Sequence, residues 1–148
     1  MNPWLRETLR SGTIASLVMM PPGFGFQWAG WRIGHYGPKV ANWWADHPGP
    51  ALLFGQHLLI GWLSTLPLLW LLARTAAGLR PLVAAAAYGA AYYVAVNSLV
   101  LPLMFGDRLP WQLGWQTILP SLVVHIVFGA SIGITARRFI AEQRSRPS

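Results

Sequence analysis

The feature that most constrains the fold of this chain is a set of three long stretches without charged side chains, at residues 50–73, 81–105 and 115–136. A helix needs about 20 mostly apolar residues to cross a hydrocarbon core of ~30 Å, and each stretch has that length. Over the whole chain 54% of residues are hydrophobic and 10% are charged, whereas soluble domains have a charged fraction of about 25%. The sequence therefore predicts an all-α integral membrane protein.

A fourth apolar stretch, residues 8–28, lies near the N-terminus and contains the pair Pro21-Pro22. Proline has no backbone N–H and its ring clashes with the preceding turn, so we expect this helix to be kinked or broken there. The sequence thus predicts one domain of residues 1–148 whose transmembrane helices lie at about 8–28, 50–73, 81–105 and 113–138, with a Trp-rich outer connection at 30–49. The short connections after the second and third helices favour antiparallel neighbours, and hence a four-helix bundle.

The formal net charge of +7 is unevenly distributed along the chain. If four helices alternate across a membrane, eight of the 11 Lys and Arg residues lie on the side of the termini, and the others are Arg32, Lys39 and Arg108. This positive-inside pattern predicts a multi-pass protein of the bacterial inner (plasma) membrane with cytoplasmic N- and C-termini. We expect the Arg-rich C-terminus to lie against anionic lipid headgroups. Because the membrane rule accounts for the basic residues, no nucleic-acid partner is expected.

Two histidines occupy equivalent places in the predicted transmembrane helices. His57 and His125 each stand near the start of an apolar stretch, and each is followed by glycine four residues later. A Ser-Leu-Val triplet at residues 16–18 recurs at residues 98–100, in the two other helices. These correspondences favour two pseudo-repeated helical hairpins related by an axis along the membrane normal. A chance match is the alternative, because the same triplet also begins at Ser121, outside this register.

The histidines are the best clue to a functional site, because a polar ring in hydrocarbon is costly unless it faces protein, a partner or water. Counting about 1.5 Å per helical residue places His57, Asn97 and His125 at similar depths in the outer half of the bilayer. Gln56 directly precedes His57, and Gly89, Tyr93 and Asn97, which are spaced four residues apart, share one face of the third helix. We call Gln56, His57, Tyr93, Asn97 and His125 the polar layer, and the similar depths of His57, Asn97 and His125 allow these three side chains to converge.

Three interpretations of the polar layer are open. In the first, the imidazoles and Asn97 form hydrogen bonds between helices and stabilise their packing. In the second, His57 and His125 ligate a b-type haem, since neutral imidazole is a common haem ligand. In the third, the layer is a pathway for protons or small solutes in a channel or carrier. No other metal site is expected, since a closed zinc site needs four ligands and the chain contains no cysteine.

Small and aromatic residues complete the expected architecture. Small residues let membrane helices approach closely, and the glycines with suitable spacing are Gly61, Gly89, Gly129 and Gly133. Tryptophans collect near the interface between membrane and water. The chain has an outer belt of Trp28, Trp31, Trp43, Trp44, Trp111 and Trp115. Simple anchoring is the favoured interpretation of this belt, and an aromatic cage for a lipid or quinone-like headgroup is the alternative.

An enzymatic activity has little support in the sequence. All four acidic residues lie outside the predicted spans, so no intramembrane carboxylate pair is available for acid–base work. His35, Asp46 and His47 of the outer connection are candidates for an interfacial site, although a solvated loop is favoured. We therefore expect no cofactor unless haem b is bound, and a non-enzymatic role as a small structural or accessory membrane subunit. Such a subunit would form a homo-oligomer or belong to a larger membrane complex.

The order of several short motifs resembles the YagU-like family of small bacterial inner-membrane proteins. The motifs are Pro21-Pro22, His57, Leu101-Pro102-Leu103-Met104, Leu109-Pro110-Trp111, and His125 followed by Arg137-Arg138. One departure is Gly23, which stands where the family has arginine after the proline pair. The resemblance implies a four-helix inner-membrane protein without an established enzymatic activity, and it supplies no catalytic residues.

Overall fold

The structure, a computed structural model, describes residues 1–33, 36–74 and 80–145, which are helical and contain no strand. The prediction of an all-α fold is confirmed for these residues. In chain order the helices are α1 (Pro3–Val18), α2 (Met20–Trp28), α3 (Tyr36–Ala41), α4 (Pro50–Arg74), α5 (Pro81–Tyr92), a π-helical segment (Tyr93–Val100), α6 (Leu101–Phe105), α7 (Pro110–Leu113), α8 (Trp115–Thr135) and α9 (Arg137–Arg144).

Three helical stretches of the described chain are long and apolar enough to cross a membrane. They are Pro50–Arg74, Pro81–Phe105 and Trp115–Thr135, where the second combines α5, the π-helical segment and α6. Only 28%, 22% and 39% of their most apolar windows are buried inside the chain. Because most of each apolar surface faces outward, these stretches support a membrane protein.

The N-terminal helix is divided at Met19, just before the proline pair. Asn2 caps α1 by accepting a hydrogen bond from the Trp4 amide at 2.9 Å, so this helix begins at Pro3, earlier than the expected start near residue 8. Pro21 and Pro22 occupy the first turn of α2, where a missing N–H removes no helical hydrogen bond. The proline pair therefore ends α1 at Val18 and starts a second helix.

The span Pro81–Phe105 contains an unusual wide turn. Pro102 supplies no backbone N–H, and the Leu101 amide bonds the carbonyl of Val96, five residues back, which is the π-helical pattern. The span ends at Gly106, whose φ of +66° is the left-handed conformation that glycine adopts without strain. Nothing in the sequence pattern predicted the π-helical segment, which carries both Tyr93 and Asn97.

The helix α8 has the central position in the described fold. It packs against α5 most extensively and also against α1 and α2, whereas α4 packs against α1, α3 and α9. The principal apolar core joins α4, α5, α8 and α9 and includes Leu68, Leu72, Phe128, Ile132 and Ile140.

The C-terminal arginines belong to a separate helix that folds back onto α4. The expected helix at 113–138 divides at Ala136, because α8 ends at Thr135 and α9 begins at Arg137. Phe139 of α9 is buried against the ring of Trp4, with centroids 5.0 Å apart. The guanidinium of Arg144 donates hydrogen bonds of 3.0 and 2.8 Å to the Leu72 carbonyl near the end of α4. A cation at a helix C-terminus is favourable, so this contact holds α9 in place.

Candidate functional site

His125 is the most highly connected residue of the polar layer. Its Nδ1 donates a hydrogen bond of 2.6 Å to the carbonyl of Ser121, one turn earlier in α8. Its Nε2 lies 3.0 Å from the Asn97 Nδ2 of the π-helical segment. A carbonyl can only accept, so Nδ1 carries the proton and Nε2 accepts from the amide. Both ring nitrogens of His125 are therefore satisfied inside the chain in the neutral tautomer.

Aromatic rings and close backbone packing enclose the His125 imidazole. Tyr92 stacks on it with centroids 5.7 Å apart and an interplanar angle of 22°, and the Tyr93 ring approaches it at 5.8 Å. A Cβ on Gly89 would collide with the His125 carbonyl, so the two backbones are in direct contact there. The expected face of Gly89, Tyr93 and Asn97 is thus brought together around one histidine.

His57 faces α1 and has no hydrogen bond to Asn97 or His125. Its Nε2 donates to the Ser16 carbonyl at 3.0 Å, while the Ser16 hydroxyl fills the space beside Gly61, one turn further along α4. The structure therefore divides the layer into a His57–Ser16 contact and a His125–Asn97 contact, where the sequence allowed three side chains to converge.

Three buried polar atoms around the layer have no hydrogen-bond partner among the described residues. Gln56 donates from Nε2 to the Gly37 carbonyl at 2.9 Å, but its Oε1 has no donor, and the same holds for the Tyr93 hydroxyl and the Ser16 hydroxyl. Buried polar groups are normally paired, and ordered water commonly supplies the missing partner. These positions suit single buried waters rather than an open passage.

The predicted packing glycines lie at helix contacts within the chain. A Cβ on Gly129 would overlap the Ala85 carbonyl of α5. A Cβ on Gly133 would lie 2.9 Å from the Ala85 Cβ and 3.0 Å from the Leu82 Cα. Gly89 meets the α8 backbone in the same interface, whereas Gly61 meets α1. The small-residue surfaces are therefore used for packing inside one chain, so they are not free surfaces for association with another copy.

A polar cluster joins α3 to the turn after α6, near Gln56 of the layer. Lys39 forms an ion pair with Asp107, and its ammonium lies 5.5 Å from the centre of the Phe105 ring. Burial, the negative charge of Asp107 and the hydrogen bond to Asp107 together raise the pKa of the Tyr36 hydroxyl to about 12, and burial is the largest cause. This phenol therefore stays protonated at neutral pH and donates to the carboxylate, which ties α3 to the end of the span.

The belt tryptophans point outward and do not enclose a common space. The exposed ones are Trp28, Trp43, Trp44, Trp111 and Trp115, and the first of these is 95% exposed. Trp31 is half-buried, with its ring edge against Trp115 at 4.9 Å. This arrangement matches interfacial anchoring better than an aromatic cage. Of the candidate interfacial set, Asp46 and His47 are exposed, and His35 lies outside the described residues.

Sequence reasoning missed a polar contact at the other end of α1. Glu7 is 7% exposed and accepts hydrogen bonds from the Arg10 guanidinium, at 2.7 and 3.1 Å, and from the Ser11 hydroxyl. Arg10 also donates to the Thr135 carbonyl at the end of α8, at 2.7 Å. Glu7 was expected to lie outside the spans, but the polar face of α1, with a small or polar residue every three or four positions, would have indicated its burial.

The geometry bears on the haem and metal hypotheses. Haem ligation by His125 would require Nε2 to lose Asn97 or Nδ1 to lose Ser121, and ligation through the Nε2 of His57 would require this atom to release Ser16. Among the described residues, no three His, Asp or Glu side chains gather closely enough to hold a metal ion. Two cavities in the described part of the chain are lined by other residues. Comparison with protein-family models, with curated proteins and with solved structures finds no match for this chain.

Proposed function

We propose that this chain is a non-enzymatic membrane subunit with a structural or accessory role, and that its polar layer stabilises helix packing. The observation that carries the proposal is that three of the four ring nitrogens of His57 and His125 form hydrogen bonds inside the chain: His125 bonds Ser121 and Asn97, and the Nε2 of His57 bonds Ser16. Hydrogen bonds of this kind join helices in membranes, at about 1 kcal/mol each.

The proposed architecture is a four-helix bundle with α1 and α2 together as the first span. Two contacts support it. The Arg10 guanidinium reaches the carbonyl end of α8, and α1 packs along both α4 and α8. The first contact joins the middle of α1 to the C-terminal end of α8. With the arginine distribution, this arrangement gives a bacterial inner-membrane protein with both termini in the cytoplasm.

The hydrogen bonds of the two histidines support two pseudo-repeated hairpins, α1 with α4 and α5 with α8. In the first, His57 bonds the backbone of Ser16, which begins one Ser-Leu-Val triplet. In the second, His125 bonds Asn97, which directly precedes the other triplet at Ser98. Each histidine thus contacts a residue at or next to the start of the triplet in the preceding span. Membership of the YagU-like family is part of the proposal and rests on the motifs.

The hydrogen bonds of the layer weigh against the carrier and haem alternatives. A conducting histidine needs a nitrogen that can exchange protons with water, and a haem ligand needs a nitrogen free for iron. In His125 both nitrogens are engaged, and the ring lies between Tyr92 and Tyr93. We therefore assign the layer a packing role, and we place the functional surface on the outside of the bundle.

A subunit of this kind is expected to have a protein partner in the membrane. The lipid-facing surface offers large exposed side chains such as Leu63 and Trp70 on α4, and the exposed Arg137 and Arg138 suit anionic headgroups. The test is cross-linking in native membranes, followed by native mass spectrometry in the mildest workable detergent. We expect a homo-oligomer or a companion subunit. A chain of 16.4 kDa that stays alone in both experiments would overturn the accessory role.

A further inference from the structure

A cavity of about 510 Å³ opens between the end of α2 and the start of α8, next to the tryptophan belt. Ligand-binding cavities commonly have volumes of about 300–1,000 Å³, so this one has room for a small ligand or a headgroup. Its lining includes one cation, Arg32, and two uncharged polar side chains, Gln27 and Thr117. Trp31, Ile33 and Leu113 form its apolar wall. None of these residues belongs to the polar layer.

The charge of the cavity comes from Arg32. Among the described residues, this exposed guanidinium has no hydrogen bond and no ion pair, whereas Lys39 on the same side of the bundle is neutralised by Asp107. A guanidinium presents a planar fork of donors that matches the oxygens of a phosphate group. With Gln27 and Thr117 as further hydrogen-bonding groups, the cavity has the chemistry to hold one phosphate.

The walls of the cavity indicate what the phosphate is attached to. The Trp31 ring contacts the rings of Trp115 and Phe26, with centroids 4.9 and 5.5 Å away, and tryptophan at this level lies among lipid headgroups. Ile33 and Leu113 add apolar surface. A free phosphate ion has no apolar part that could contact these side chains, whereas a glycerophospholipid covers them with its glycerol and the start of its acyl chains.

We propose that this cavity binds the headgroup of one anionic phospholipid of the outer leaflet, with Arg32 on the phosphate. Gln27 and Thr117 bond the polar part of the headgroup, and Trp31, Ile33 and Leu113 contact the apolar part. The proposal rests on the orientation given above, which places α2 and the start of α8 at the outer surface. A bound lipid at this point would fill the space between the first and last spans.

The test compares lipid retention in the full chain and in two variants. Protein in nanodiscs of phosphatidylcholine with a minor fraction of phosphatidylglycerol is released in the mass spectrometer, and bound lipids are counted. We expect one phosphatidylglycerol on the unaltered chain, bound about tenfold more weakly in Arg32→Gln, since tenfold corresponds to ~1.4 kcal/mol. Arg108→Gln is the matched control, because Arg108 is an exposed cation of the same side that does not line the cavity.

Three outcomes would overturn the proposal. They are equal retention by the unaltered chain and Arg32→Gln, equal loss in both variants, and displacement of the lipid by an excess of inorganic phosphate, which would make the site one for the free ion. Because retention is counted in nanodiscs, its result does not depend on orientation in cells. Lipid retention therefore tests the lipid site alone, and cross-linking in native membranes tests the proposed subunit role.

Discussion

Replacing Gly129 by alanine is expected to lower the free energy of unfolding by at least about 2 kcal/mol, because the new Cβ has no room between α8 and α5. In the structure this Cβ would overlap the Ala85 carbonyl, which is backbone and cannot move aside as a flexible side chain can. Separating the two helices to admit the methyl group would also stretch the Asn97–His125 hydrogen bond. The measurement is unfolding of purified protein in mixed micelles, followed by circular dichroism.

Gly55→Ala is the matched control for this prediction. Gly55 lies inside α4, and nothing stands within 4 Å of the position that its Cβ would take. Alanine has the higher helix propensity by up to about 1 kcal/mol, so Gly55→Ala should leave stability unchanged or raise it. If Gly129→Ala were as stable as Gly55→Ala, the close approach of α5 and α8 would be wrong.

The second large effect is expected for the pair Asn97 and His125. Asn97→Leu leaves the Nε2 of His125 buried without a donor, and His125→Leu leaves the Asn97 amide without an acceptor, so each variant should lose about 1–3 kcal/mol. Because the two residues share one hydrogen bond, the double variant should lose less than the sum of the single losses. A double-mutant cycle should give a coupling of about 1 kcal/mol, as polar pairs between membrane helices do.

His57 supplies the control cycle, because it bonds Ser16 and has no hydrogen bond to Asn97. Combined with Asn97→Leu, the variant His57→Leu should show a coupling of no more than about 0.5 kcal/mol. Equal coupling in both cycles would mean that the three side chains converge, and the division of the layer into two contacts would then fail. A separate assay tests the carrier hypothesis. If the unaltered protein conducted protons in liposomes, and His125→Leu folded but lost this flux, the carrier hypothesis would be favoured.

Several elements could be predicted because their signals are local in the sequence. Charge-free stretches of sufficient length located the three spans now seen at Pro50–Arg74, Pro81–Phe105 and Trp115–Thr135. Helical spacing placed Gly89, Tyr93 and Asn97 on one face, and the structure turns that face toward His125. Spacing of three or four residues is enough to assign residues to a face of a straight helix.

Other features depend on contacts that spacing does not specify. The histidines bond the backbone carbonyls of Ser16 and Ser121. Every residue has a backbone carbonyl, so the sequence does not indicate which one a histidine will bond. The π-helical segment depends on how Pro102 ends the hydrogen-bond ladder. The return of α9 depends on an apolar pair, Phe139 and Ile140, inside a run of charged residues that suggested only a surface tail.

The most direct test of the four-span architecture is labelling of single cysteines with a membrane-impermeant thiol reagent on intact spheroplasts. The natural sequence has no cysteine, so each variant carries one reporter without background. Exposed positions for substitution are Asn2 in the N-terminal segment, Asp46 and Arg108 in the outer connections, and Glu142 in α9. We expect labelling of Asp46→Cys and Arg108→Cys on intact cells, and of Asn2→Cys and Glu142→Cys only after permeabilisation. Labelling of Asn2→Cys together with Asp46→Cys on intact cells would mean that α1 and α2 do not cross, and would contradict the account.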